Sequence, residues 1–382
     1  GGGGGREARL PAPATALACG RGRGDTHVLC GDALGNLHQY HAGARRLAGT
    51  FQDGDDTGPI TAIIAGENAI LAAAADGKIR RWRYTELPKP SHKRSYSYGS
   101  VSLFKQSKGS KPPKYFEGHS GPVLCMEQLS TNQSDASEFA SGSSDRTIKI
   151  WNVSTRDNMA TLKGHAGAVT CLYASYHANH LLSGSSDFTV RLWDYGEGSR
   201  NDLNGNALRI FKGHSGPISA VKQLGRQSAV SASADRTIQF WDKRMRKSVA
   251  VLKGHTGPVT FFQDGGPDGT LLITGSADCT VRIWDMRRAA KGAAHVCRGH
   301  MGRVTALLRK KTRVLSAGAD GFLCEWDLAS GALVCAHAGG HAQGISFLAV
   351  AHDSAAVVSA GLDGRCRLWP TLHHRATGAG AT

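Results

Sequence analysis

The stretch SGSSDRTIKIW (Ser141–Trp151) decides how this chain is read, because the same phrase returns along its length. SGSSDFTVRLW (Ser183–Trp193), SASADRTIQFW (Ser231–Trp241), TGSADCTVRIW (Thr274–Trp284), SAGADGFLCEW (Ser316–Trp326) and SAGLDGRCRLW (Ser359–Trp369) are close copies. AAAADGKIRRW (Ala72–Trp82) and CGDALGNLHQY (Cys30–Tyr40) are looser ones. All seven tryptophans close a copy, so the residue is tied to one structural position. Within a copy the pattern alternates. In Thr147-Ile148-Lys149-Ile150-Trp151 the isoleucines face one way and Lys149 the other, which is the period of a β-strand. Gly and Asp ahead of the strand mark a tight hairpin.

Most steps between successive copies are 42 or 43 residues. That period belongs to propeller blades, each a four-stranded antiparallel sheet, so the fold class is all-β. Counting copies gives eight blades; a seven-bladed ring with residues 1–40 as an extension is the alternative. Eight is favoured because Thr15–Cys19, Thr26–Cys30 and Gly35–His41 are spaced like three strands of one blade. Arg6–Leu10 stands where it could supply the outer strand of the last blade and remove a free sheet edge. One propeller is therefore expected over 1–375, with a basic insertion at 83–117 and a disordered tail at 376–382.

The repeat resembles the WD-repeat family over nearly all of the chain. Six units open with Gly-His and close with Trp, at His119, His165, His214, His255, His300 and His341. Asp194, Asp242, Asp285 and Asp327 follow four of those tryptophans; Asn152 and Pro370 stand in the other two units. The resemblance implies a buried polar network in each unit. Its members would be His119, Ser141, Asp145 and Trp151; His165, Ser183, Asp187 and Trp193; His214, Ser231, Asp235 and Trp241; His255, Thr274, Asp278 and Trp284; His300, Ser316, Asp320 and Trp326; and His341, Ser359, Asp363 and Trp369. These groups suit burial together: indole only donates, carboxylate only accepts, and hydroxyl and neutral imidazole do both. The first two units depart from the pattern, with Leu34 for Asp and Tyr40 for Trp in one and Ala72 at the hydroxyl position in the other. Both are expected to fold as blades with apolar packing in place of the network.

Composition narrows the setting. No run approaches the ~20 apolar residues of a membrane helix, and residues 1–20 lack the apolar core of a signal peptide. Nine scattered cysteines without a CxxC pair, among them Cys125, Cys171 and Cys366, read as small buried hydrophobes of a reducing compartment, cytosol or nucleus. The chain opens on Gly1 and is expected to be a fragment or a processed form.

No catalytic constellation, cofactor site or metal site is expected. Ser or Thr, His and Asp recur in six units, whereas a catalytic site occurs once. His177 and His180 have a spacing a metal could use but no supporting ligands, and Gly20–Asp25 lacks the Gly-Lys-Ser/Thr ending of a phosphate loop. The net charge of +16 favours acidic partners. Part of it lies in the insertion, where Lys93, Arg94, Lys108 and Lys111 are a solvated loop or an arm for RNA, an acidic protein or a regulatory kinase.

Partner recognition has two further pointers. Trp241-Asp242-Lys243-Arg244 and Trp284-Asp285-Met286-Arg287 resemble the box by which WD-repeat substrate receptors of cullin-4 ubiquitin ligases dock on the ligase's damaged-DNA-binding adaptor. The resemblance assigns Arg244 and Arg287 to docking through their planar forks; the alternative is that each arginine pairs within its own loop. F-box WD-repeat receptors instead ring the central opening with phosphate-clamping arginines. The matching positions here are Leu124, Thr170, Ser219, Thr260, Thr305 and Ser346, then Ser144, Ser186, Ala234, Ala277, Ala319 and Leu362, none of them Arg. A structural subunit of a ribonucleoprotein is a third reading. If the network stands as implied, Asp235→Ala leaves a buried donor unpaired and costs ~1–3 kcal/mol; an unchanged melting temperature would contradict it.

Overall fold

The computed structural model describes residues 7–10, 12–22, 25–41, 46–51, 58–66, 69–83, 114–129, 138–175, 179–196, 207–245, 247–266, 269–337, 340–350 and 356–370. They form eight four-stranded antiparallel sheets. From inner to outer strand, blades 1 to 7 span residues 14–51, 60–116, 123–162, 169–211, 218–252, 259–298 and 304–337. Blade 8 takes its three inner strands from 345–370 and its outer strand from Glu7–Arg9. Glu7, Ala8 and Arg9 lie opposite Arg367, Cys366 and Arg365. The first and last described strands thus share one sheet, and an otherwise unpaired edge is covered. The eight-bladed reading holds, and blade 1 has strands Ala14–Gly22, Asp25–Asp32 and Leu37–His41 close to those expected.

One boundary needs correction. Arg83 ends the third strand of blade 2 and Lys114–Phe116 is its outer strand, so the insertion narrows to 84–113. Lys93, Arg94, Lys108 and Lys111 lie outside the described residues, as do 376–382 and His177.

Side-chain size sets how blades stack. The second strand of each close copy sits in mid-sheet, buried along Ser141–Gly142–Ser143 and its equivalents. A Cβ on Gly184 would lie 2.5 Å from Ile218 Cγ2 of the next blade. Hence the small residue between two hydroxyl residues: it admits the neighbouring innermost strand. Hydroxyls on the innermost strands then reach across. Thr61, Thr170, Ser219, Thr260 and Thr305 donate to the carbonyls of Val123, Ile218, Val259, Val304 and Ile345 at 2.5–2.6 Å. Four of these are the positions that carry no clamp arginine; their hydroxyls join adjacent blades instead. Between blades lie apolar clusters such as Val230, Ile238, Val259, Leu272 and Trp284.

The turn after the second strand needs a residue with positive φ. Gly35, Gly77, Gly321 and Gly364 provide it in blades 1, 2, 7 and 8, whereas Arg146, Phe188, Arg236 and Cys279 hold φ of 65–71° in blades 3 to 6. A side chain there costs ~1 kcal/mol against glycine. Arg236→Gly is therefore expected to raise the melting temperature, by an amount matching about 0.5–1 kcal/mol. A lower melting temperature would show that the Arg236 side chain makes a stabilising contact that outweighs the strain.

Candidate functional site

Each of blades 3 to 8 contains one hydrogen-bonded column. In blade 3 the Trp151 indole donates to Ser141 Oγ at 2.7 Å. Ser141 Oγ lies 2.8 Å from His119 Nε2, and His119 Nδ1 lies 2.7 Å from Asp145 Oδ2. Indole can only donate, so the hydroxyl accepts from it and gives its own proton to Nε2; Nδ1 then carries the imidazole proton and donates to the carboxylate. The same links join His165, Ser183, Asp187 and Trp193, and His214, Ser231, Asp235 and Trp241. They recur among His255, Thr274, Asp278 and Trp284, among His300, Ser316, Asp320 and Trp326, and among His341, Ser359, Asp363 and Trp369.

The carboxylate does more than hold the imidazole. Asp145 also accepts from the backbone N–H of Ser120 and from the N–H and hydroxyl of Thr147. It so pins the incoming loop, the hairpin turn and the histidine at one point. Thr189, Thr237 and Thr280 repeat the Thr147 contact. These threonines were missed from sequence, although their recurrence two residues after Asp145, Asp187, Asp235 and Asp278 was visible.

Charge follows from burial. Burial pulls His119, His214, His255 and His341 below the ordinary imidazole value, against the attraction of their Asp partners. Burial by itself would raise the carboxyls of Asp145, Asp235 and Asp278; hydrogen bonds from the threonine and histidine outweigh it and hold them low.

Blades 1 and 2 correct an expectation, since both carry a polar anchor and not apolar packing alone. In blade 1 the fully buried Asp32 accepts from the N–H groups of Leu34 and Asn36, and its other oxygen meets Asn36 Nδ2 and His38 Nε2, both at 2.9 Å. His38 Nδ1 lies 3.0 Å from Thr50 Oγ1. Asp32 stands two residues ahead of the exposed Leu34, yet does the same work for the turn. In blade 2 Asp76 keeps its place and takes a guanidinium in place of an imidazole: Arg80 Nη2 lies 2.7 Å from Asp76 Oδ2, with Arg80 buried. The physical reason is shared. A tight turn leaves backbone N–H groups facing inward, and a carboxylate meets them whichever side chain then pairs with it.

The two arginines of the WDxR boxes adopt matching poses. Arg244 Nε and Nη2 grip Asp242 at 3.0 and 2.6 Å, and Arg287 Nε and Nη2 grip Asp285 at 3.0 and 2.9 Å. Each carboxylate also accepts its own arginine's backbone N–H. The forks are thus occupied within their loops, while the arginine side chains remain 73% and 71% exposed. Arg244 bonding and its backbone contact hold the Asp242 carboxyl at about 2. Both arginines follow third strands of neighbouring blades, 5 and 6, and so emerge on one face of the ring.

The family model for the WD domain, G-beta repeat, matches residues 110–152, 156–194, 205–242, 246–285 and 334–370. The chain belongs to the WD-repeat family. Blades 1 and 2, with their altered anchors, lie almost wholly outside those matches. Among WD-repeat relatives, the DENN domain and WD repeat-containing protein SCD1 of Arabidopsis thaliana is 28% identical over 67% of this chain and 21% of its own length. The pre-mRNA-splicing factor cwf17 of Schizosaccharomyces pombe is 29% identical over 50% of this chain and 52% of its own. A guanine nucleotide-binding protein subunit beta of Oryza sativa subsp. japonica is 27% identical over 50% and 51%. The match thus spans at most about half the length of these relatives. The computationally designed Ika8 protein superposes with a TM-score of 0.73 at 25% identity, over 96% of this chain and all of that one. The WD-repeat ring is a scaffold for protein interactions. Among the described residues no helix is long and apolar enough to cross a membrane.

The column makes stability depend on pH with a definite sign. Groups whose pKa is lower folded than unfolded stabilise the fold above the unfolded value and lose that contribution as pH falls through the folded one. The window therefore opens below the ordinary imidazole value of 6.5 and, for the carboxyls, below 3.8. The melting temperature should fall between pH 7.5 and pH 5, and fall less in His214→Gln, which removes one titrating group. An equal or larger fall in that variant would contradict the assignment.

Proposed function

We propose that this WD-repeat ring is a non-enzymatic interaction scaffold whose specific task is substrate recognition for a cullin-RING ubiquitin ligase. The observation that carries the reading is the pair of exposed arginines on adjacent blades of one face, which share one pose although each fork is occupied by its own loop aspartate. Asp242 and Asp285 hold each guanidinium in a fixed plane, which lowers the entropy cost of pairing with a carboxylate on the ligase adaptor. An incoming carboxylate shares or displaces the loop aspartate, and the exposure of the arginines leaves room for it. The test is co-precipitation of the adaptor with the wild-type chain and with the Arg244→Ala, Arg287→Ala double variant. The reading expects a loss of about tenfold or more; equal recovery of adaptor would overturn it.

A second reading rests on the net charge of +16 and on the likeness to a splicing factor. In it the chain is a structural or RNA-associated subunit of a ribonucleoprotein, with Lys93, Arg94, Lys108 and Lys111 meeting RNA or an acidic protein. Affinity purification with mass spectrometry separates the two: adaptor and cullin peptides favour the first, splicing proteins the second. Either assignment places the protein in the cytoplasm or nucleus.

A further inference from the structure

A cleft of 480 Å³ opens between blades 4 and 5, on the face where the third strands end. Its walls include His180, Leu208, Arg209, Gln223, Arg226 and Lys243. Among the described residues two guanidinium groups, an ammonium and an imidazole line it, and no carboxylate does. Lys243 decides the character of the site. It is only 6% exposed, yet its Nζ meets a neutral partner, Gln223 Oε1, at 2.7 Å. Gln223 is itself fixed, because its amide donates to the carbonyl of Gly225 in the adjoining turn. The Lys243 backbone is held as well, its N–H donating to Gln227.

A buried ammonium without an opposing charge is costly unless something supplies one. Burial lowers Lys243. It also lowers His180, whose Nδ1 is buried and has no hydrogen-bond partner among the described residues. Asp194, whose charge acts on His180, stands opposite it on the neighbouring strand and accepts from the N–H of Gly196. It does not line the cleft.

We propose that this cleft binds a phosphate monoester carried on a serine or threonine of a partner protein. A single carboxylate would neutralise one of three full cations. A phosphate monoester brings nearly two negative charges and three acceptor oxygens, enough to bridge Lys243, Arg209 and Arg226 at once. The wall explains why the phosphate is held on a polypeptide. Arg209 begins the outermost strand of blade 4, Arg209–Phe211, whose far side has no strand partner among the described residues. An extended segment can pair with that edge. Leu208 and Ile210, 45% and 37% exposed, offer apolar contact to the residues flanking the phosphate. Neither Arg244 nor Arg287 lines the cleft, so failure of adaptor docking leaves this proposal standing.

The test passes a degenerate phosphoserine and phosphothreonine peptide library over the immobilised full chain, beside a matched unphosphorylated library. The phosphorylated library is expected to be retained about tenfold more strongly. That preference should be lost in an Arg209→Ala, Arg226→Ala variant, whose changes fall at exposed positions, and in Lys243→Met. Equal retention of the two libraries would overturn the proposal, as would full retention of the preference in the double arginine variant. Inorganic phosphate binding to the chain as tightly as the retained peptides would assign the cleft to a free anion and overturn the protein-borne ligand.

Discussion

The rest of the ring depends on a neutral imidazole that donates to a carboxylate through one nitrogen and accepts a hydroxyl proton through the other. The histidine lies in the loop entering a blade, the hydroxyl on the second strand, the carboxylate in the next turn and the indole on the third strand. One chain of hydrogen bonds therefore ties together the parts of a blade that strand pairing alone leaves independent. Each member saturates the next, so the blade can bury four polar side chains without an orphan. The column also makes the blade's register a matter of chemistry. Sliding one strand by a residue would turn the hydroxyl away from the indole and expose the face that packs on the neighbour.

Blades specified in this way still have to join. Stacking uses apolar clusters between sheets, small residues that admit the next inner strand, and hydroxyls that donate across to the next blade. Closure uses the first few described residues as the last outer strand. Every sheet is local in sequence except the one that seals the ring, so the N-terminal strand carries a weight out of proportion to its length.

Much of this was legible in the sequence because a repeat states its constraints several times. The period gave the blades, and the recurring His, Ser or Thr, Asp and Trp pointed to groups that the fold brings within 3.0 Å of each other. Blade closure was readable from the spacing of Arg6–Leu10. What escaped was what occurs once. Asp32 replaces the turn aspartate from two positions earlier, and Arg80 replaces an imidazole; neither recurs, so no pattern announces them. Thr170, Ser219, Thr260 and Thr305 were noticed only as places without arginine, because a bond between blades is not visible until the blades are side by side. The cleft between blades 4 and 5 is likewise assembled from five separate segments. The Arg244 and Arg287 poses could not be read from the motif, since it fits an arginine that reaches outward as well as one folded onto its own aspartate.

Blades differ in a few surface features: two exposed arginines held by their own aspartates, a buried lysine that meets a neutral amide among the described residues, and turns that keep a side chain where glycine would fit. Those surface features rely on a frame held by the column, so the protonation state of its histidines is the most direct test of the account. Nitrogen-15 chemical shifts of the histidine side chains, recorded from pH 8 to pH 5.5, report it. The account predicts that His119, His214, His255 and His341 protonate at lower pH than exposed imidazoles, and that their neutral form carries the proton on Nδ1 with Nε2 as acceptor. Titration of these four with the profile of exposed imidazoles, or a proton on Nε2 at neutral pH, would contradict it.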